Sequence, residues 1–133
     1  MSAIHGIGID LVEIQRLKAA LGRQGDAFLK RILNADELLV YQQRCMSSAE
    51  RGLRFLATRF AAKEAFSKAM GTGIGGMVGF HSISVLNNEK GMPYIELKED
   101  INAITGFNIT QIFVSLSDES HYAIAQIIIE KQL

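Results

Sequence analysis

Glu64 lies in the run Arg59-Phe-Ala-Ala-Lys63-Glu64-Ala-Phe-Ser-Lys68, a carboxylate set among cations. At helical spacing Phe60, Glu64 and Lys68 form one stripe, and Arg59 and Lys63 form the next. The spacing is compatible with an ordinary solvated i,i+4 pair of Glu64 and Lys68, and equally with a carboxylate and an ammonium turned toward a ligand. A second carboxylate, Asp10, closes the stretch Ser2-Ala-Ile-His-Gly-Ile-Gly-Ile-Asp10, which alternates like a strand. Mg2+ usually takes one or two protein carboxylates and leaves its other positions to water and substrate phosphates. Asp10 and Glu64, if brought together, would make half of such a site, with the neighbouring cations offsetting phosphate charge.

The elements that must bring them together are legible. Ala, Leu, Phe, Met, Glu, Lys and Arg dominate from Leu53 to Met70, no proline interrupts, and Gly71 opens a glycine run where a left-handed cap would stop a helix. In the strand, alternation puts Ile4, Gly6, Gly8 and Asp10 on one face and His5, Ile7 and Ile9 on the other. Glycine lets another backbone come close, so Gly6 and Gly8 predict where the helix packs on the sheet, with Asp10 at the edge of that contact.

Gly6-Ile-Gly-Ile-Asp10-Leu-Val-Glu-Ile14 and, further on, Arg59-Phe-Ala-Ala-Lys63-Glu64-Ala-Phe-Ser-Lys68-Ala-Met-Gly71-Thr-Gly73 resemble the two signature motifs of the 4'-phosphopantetheinyl transferases. The chain length and the close Val114-Ser-Leu-Ser-Asp-Glu-Ser-His-Tyr122-Ala narrow the resemblance to the small bacterial holo-acyl-carrier-protein synthases, over essentially the whole chain. The resemblance implies an α+β fold of the 4'-phosphopantetheinyl transferase type, one long helix on a mostly antiparallel sheet, assembled as a homotrimer with sites between subunits. It implies transfer of phosphopantetheine from coenzyme A to a serine of acyl carrier protein, with Mg2+ as cofactor on Asp10 and Glu64. Arg59, Lys63, Lys68, Gly71, Thr72 and Gly73 are then the coenzyme A contacts. Glu64 and Lys68 are the catalytic pair, and Arg16 and Arg31 dock the acidic carrier. Gly75-Gly76 stand where many members carry Arg or Lys, and Asp118 where some have His, so no histidine is assigned a catalytic role.

The 133 residues suit one domain, 1–133, large enough for a core without metal or disulfide staples. The single Cys45 excludes an internal disulfide and suits a reducing compartment. With no apolar leader and no run approaching a membrane span, the expectation is a cytoplasmic protein with no membrane partner. The formal net charge is zero, yet residues 1–70 hold 11 Lys and Arg against 7 Asp and Glu, and residues 71–133 hold 3 against 7. The positive half carries both motifs and favours anionic partners, but it lacks the basic runs of a nucleic-acid binder.

Elsewhere, Glu13 to Leu21 reads as a helix, Asp26 opens a short second one, and Asn34-Ala-Asp-Glu37 is a capping box for a third. Residues 45 to 52 read as a polar joint before the long helix. Beyond Gly76 the period becomes strand-like, with a hairpin turn at Asn87–Pro93 and a short helix from Asp100 to Thr105 closed by Gly106. Ile127 to Ile129 are apolar on both faces, the mark of a central strand or of one buried in an interface. His5, His81 and His121 have no metal spacing, and Cys45 reads as structural. Two other classes remain open: a coenzyme A thioester hydrolase, which needs no Mg2+, and a non-catalytic carrier-protein binding module, which has no use for Asp10, Glu64 and Lys68 together.

Overall fold

A computed structural model describes all 133 residues. The chain runs β1 (Ser2–Glu13), α1 (Ile14–Gln24), α2 (Asp26–Ile32), α3 (Ala35–Ser47), α4 (Ala49–Met70), β2 (Ile83–Asn87), β3 (Pro93–Leu97), α5 (Ile101–Thr105), β4 (Ile109–Asp118) and β5 (Tyr122–Gln132). Two antiparallel sheets result: one of order β1-β5-β4 and the hairpin β2-β3. This is the α+β class expected. Helix α4 lies across β1 and β5, and α1, α2, α3 and the hairpin pack on its remaining sides.

Helix α4 starts earlier than its composition suggested. The polar joint shrinks to Ser48, whose extended backbone ends α3 and whose hydroxyl accepts from Arg51 N–H at 3.1 Å to start α4. One capping residue is enough to break a helix that propensity alone would continue. At the other end Gly71, with φ of 81°, caps in the left-handed region. The capping box on α3 forms between Asn34 and Glu37.

The close approach foreseen at Gly6 and Gly8 is present in a tight form. A Cβ built on Gly8 would run into the carbonyl oxygen of Ala65 and stand 2.8 Å from Ala69 N, and one on Gly6 would run into the carbonyl oxygen of Ala69. Only residues without a side chain let this strand meet the helix backbone.

The strand's phase differs from simple alternation. A bulge between Ile4 and Gly6 inserts an extra residue opposite β5, so Ile4 joins Ile7 and Ile9 on the outward face. His5 turns inward instead, its ring 4.5 Å from that of Phe107 and its Nε2 3.4 Å from the Met70 carbonyl.

Strand β5 is the central strand. Its Ala123, Ala125, Ile127 and Ile129 are buried beneath α4, while Ile124 and Ile128 face the other way. On that outer face Ile7, Ile128 and Phe113 are aligned across the three strands, and Leu11 lies opposite Ile124. Ile7 is 57% exposed and Leu11 62%, so the sheet carries an apolar face with no layer of this chain over it. No helix is long and apolar enough to cross a membrane.

Candidate active site

The glycine contact determines where Asp10 lands. With β1 drawn onto the last turns of α4, Lys68 Nζ donates to Asp10 Oδ1 at 3.0 Å and to the Ile9 carbonyl at 2.9 Å. Asp10 and Glu64, together with Leu11, Leu17, Phe28, Phe60 and Arg16, line one cavity of about 400 Å3. Glu64 and Lys68 are thus more than a solvated pair along one helix: Glu64 lines the cavity with Asp10, and Lys68 pairs with that same Asp10 from another element.

Burial raises the Glu64 carboxyl above its ordinary range, the Asp10 carboxylate raises it further, and Lys68 opposes both. The same arrangement suits a hard divalent cation. Two adjacent carboxylates, one partly desolvated, repel each other until positive charge arrives, and both offer oxygen donors. No group of three or more His, Cys, Asp and Glu surrounds this point, so a metal here would have two protein carboxylates and leave its other positions to water and ligand oxygens. A carboxyl titration by NMR is expected to find Glu64 above the ordinary glutamate range, lower in Asp10→Asn and higher in Lys68→Met. A titration unmoved by either change would show that the three groups are not coupled.

The glycine run contributes less hydrogen bonding than expected. The N–H groups of Gly71, Thr72 and Gly73 all return to the Ser67 carbonyl, at 3.1, 3.2 and 3.3 Å, and the Thr72 hydroxyl donates to the Gly73 carbonyl. Capping α4 consumes the donors that a phosphate loop would present.

Lys63 corrects the sequence expectation. It is wholly buried on the side of α4 away from Asp10, paired with Glu37 and donating to the Ile32 carbonyl at 2.7 Å. Burial pulls its ammonium below the usual lysine value, and Glu37 offsets part of that. A lysine so enclosed is shut off from any ligand in solvent. The helix is covered on nearly all sides, so a stripe rich in cations need not be a solvent stripe.

Arg59 is also buried, and burial lowers its guanidinium to about 10. It donates through Nε to the Val85 carbonyl at 2.9 Å and to the side chains of Thr58 and Asn87, and it lies over the Phe55 ring at 4.0 Å. Yet it also lines a second cavity, about 390 Å3, with Arg44, Arg51 and Arg54; Asp118 is the only acid there. Asn87, Gly91 and Pro93 of the hairpin form part of the wall. This anion-attracting cavity shares no residue with the carboxylate cavity. It was missed because Arg51 lies within the segment read as a polar joint and Arg44 and Arg54 flank it, and because the hairpin and β4 that complete its walls are distant in sequence.

The docking arginines are separated too. Arg16 lines the carboxylate cavity, with Arg23 beside it. Arg31 donates to Gln24 at 2.8 Å and borders a different groove, along Ile74–Gly76 and His81.

A family model, the 4'-phosphopantetheinyl transferase superfamily, matches residues 6–126. The holo-[acyl-carrier-protein] synthase of Herminiimonas arsenicoxydans is 45% identical over 129 residues, which is 97% of this chain and 99% of that protein. The crystal structure of the synthase from Neisseria meningitidis superimposes with a TM-score of 0.84 at 37% identity, covering 97% of this chain and 100% of that one. The synthase from Bacillus anthracis, solved in complex with CoA (3',5'-ADP), gives 0.80 at 36% identity, covering 97% and 98%. A match over nearly the full length means that this chain belongs to the 4'-phosphopantetheinyl transferase superfamily.

Proposed function

We propose that this chain is a holo-acyl-carrier-protein synthase, moving 4'-phosphopantetheine from coenzyme A to a serine of acyl carrier protein. The observation that carries this reading is that Asp10 and Glu64 line one cavity, with Lys68 bonded to Asp10, in a chain whose relatives are synthases over their full length. Those relatives weigh against the thioester hydrolase and the binding module.

In the reaction, the serine oxygen attacks the β-phosphorus of coenzyme A. The bond from that phosphorus to the bridging oxygen breaks, and adenosine 3',5'-bisphosphate departs with the oxygen. Glu64 takes the serine proton, directly or through a water. Lys68, already poised on Asp10, neutralises the leaving phosphate. Asp10 and Glu64 would hold Mg2+, which when bound draws charge off the pyrophosphate oxygens. Most of the acceleration comes from holding these charges in place before the bond changes begin.

Mass spectrometry of apo carrier protein incubated with this chain, coenzyme A and Mg2+ tests the reading. One added phosphopantetheine is expected. An unchanged mass, with free thiol released from acyl-coenzyme A without Mg2+, would favour the hydrolase instead. Arg16 stands at the mouth of the reacting cavity, so Arg16→Glu is expected to raise KM for carrier protein about tenfold or more and leave that for coenzyme A nearly unchanged. Equal changes in both would remove Arg16 from the docking surface. Arg31, farther along the same helical region, is expected to show the same preference for carrier protein with a smaller change.

The homotrimer belongs to the same reading. It is supported by the uncovered row Ile7, Ile128 and Phe113 and by the division of charges between two cavities. Coenzyme A carries a pyrophosphate and a separate 3'-phosphate. One subunit's carboxylates and a neighbour's arginines would then serve one ligand, and burying the apolar face would hold them together. Ile128→Asp is expected to give smaller assemblies by light scattering and to lose transfer in parallel. A folded monomer with full activity would refute the shared site.

A further inference from the structure

Strand β2 has a strand neighbour on one side only, β3. On its other side three of its backbone groups, at alternate residues, are bonded to side chains. The Ile83 carbonyl accepts from Asn34 Nδ2 at 2.9 Å. Val85 N–H donates to Glu37 Oε2 at 2.7 Å, and the Val85 carbonyl accepts from Arg59 Nε at 2.9 Å. The start of α3 and the middle of α4 thus supply a ladder in place of a missing strand, and buried backbone groups need one or the other.

Lys63 does not touch this strand, but it holds the residue that does. Its ammonium bonds Glu37 Oε1, which also accepts the Asn34 N–H at 2.9 Å, and it bonds the Ile32 carbonyl at the end of α2. One buried cation therefore ties α2, the cap of α3 and, through Glu37, strand β2 to α4. Such a pair is a poor source of stability, because desolvating two charges costs about as much as their attraction returns, and apolar replacements are often no worse. A reason beyond stability is called for, and the other end of the strand supplies one. Asn87, the last residue of β2, accepts from Arg59, donates to the Gly91 carbonyl at 3.0 Å, and with Gly91 and Pro93 walls the arginine cavity.

We propose that Lys63 and Glu37 are positioning residues for the arginine cavity: the buried pair fixes β2 against α4 and thereby holds the hairpin wall at the spacing from Arg54 and Arg59 that admits a phosphate. This rests on that cavity being a phosphate subsite for coenzyme A. Neither residue touches the ligand.

The test compares Lys63→Met, Glu37→Gln, the double variant and, as a cavity control, Arg54→Gln, all in the full chain. Each is read by steady-state kinetics and by amide exchange at Val85 and Asn87. Lys63→Met leaves a buried carboxylate unpaired, so KM for coenzyme A is expected to rise about tenfold with kcat changed less than about threefold. Val85 and Asn87 amides are expected to exchange faster while those of Ile127 and Ile129 in β5 do not. The double variant leaves no charge buried and keeps one amide oxygen that can accept from Val85 N–H, so KM for coenzyme A is expected to fall back at least about threefold from its value in Lys63→Met. If Lys63→Met does not fold, Glu37→Gln, which leaves the Lys63 ammonium without its charge partner and keeps one accepting oxygen, carries the same expectation. A lower melting temperature with KM for coenzyme A unchanged would overturn the proposal, reducing the pair to a structural one. If Arg54→Gln raises KM and the Lys63 and Glu37 variants do not, positioning alone fails. If Arg54→Gln leaves KM unchanged, the subsite reading fails and positioning falls with it.

Discussion

Glu64→Ala and Asp10→Ala are each expected to lower transfer by about a hundredfold to a thousandfold, the usual loss when one preorganised electrostatic group is removed from a reacting site. Both residues are half-buried at the rim of their cavity, and neither belongs to the apolar core. Circular dichroism and the melting transition should therefore change little. The two variants should differ in one respect. Asp10→Ala also frees Lys68 from its carboxylate partner, whereas Glu64→Ala leaves the Lys68–Asp10 pair and removes the proposed base. Rates measured across a Mg2+ titration check both, and near-normal transfer by either variant at limiting Mg2+ would dissolve the site.

Gly8→Ala should produce the largest loss of stability available from a single methyl group. Replacing glycine by alanine normally helps by about 0.4–1 kcal/mol, because the unfolded chain has less freedom to lose. Here the added carbon meets the Ala65 carbonyl and the Ala69 amide, both parts of a helix backbone that cannot swing aside. Overpacking of this kind costs about 3 kcal/mol or more, and so outweighs the entropic gain. A fall in melting temperature of about 10 °C follows for a domain of this size. Transfer should fall with it, since pushing β1 from α4 carries Asp10 away from Glu64. Gly22 is the control: it lies in α1 with open space around it, so Gly22→Ala should stabilise by about 0.5–1 kcal/mol. Equal, small effects at the two positions would mean that the helix and strand do not meet as closely as described.

What the sequence determined by itself is what depends on neighbours along the chain. The strand glycines predicted the helix contact, Gly71 and Gly106 the ends of α4 and α5, Asn34 and Glu37 a capping box, and Asn87–Pro93 a hairpin turn. Each is a local rule of backbone conformation or capping, and each survived. Asp10, Glu64 and Lys68 could be brought together from one strand face and one helix stripe, although β1 runs on to Glu13 rather than ending at Asp10.

The tertiary structure decided everything that depended on which side of an element faces which neighbour. Lys63 and Glu64 are adjacent in sequence, yet one pairs with Glu37 inside the protein and the other lines the cavity it shares with Asp10. A helix enclosed on nearly all sides gives periodicity no solvent face to identify. The bulge at Ile4/Gly6 reversed the strand's phase for Ile4 and His5, because an extra residue opposite β5 is invisible to alternation counted along one strand. The arginine cavity was hidden for the same reason: α3, α4, the hairpin and β4 each bring part of it, and only their packing turns scattered surface cations into a pocket.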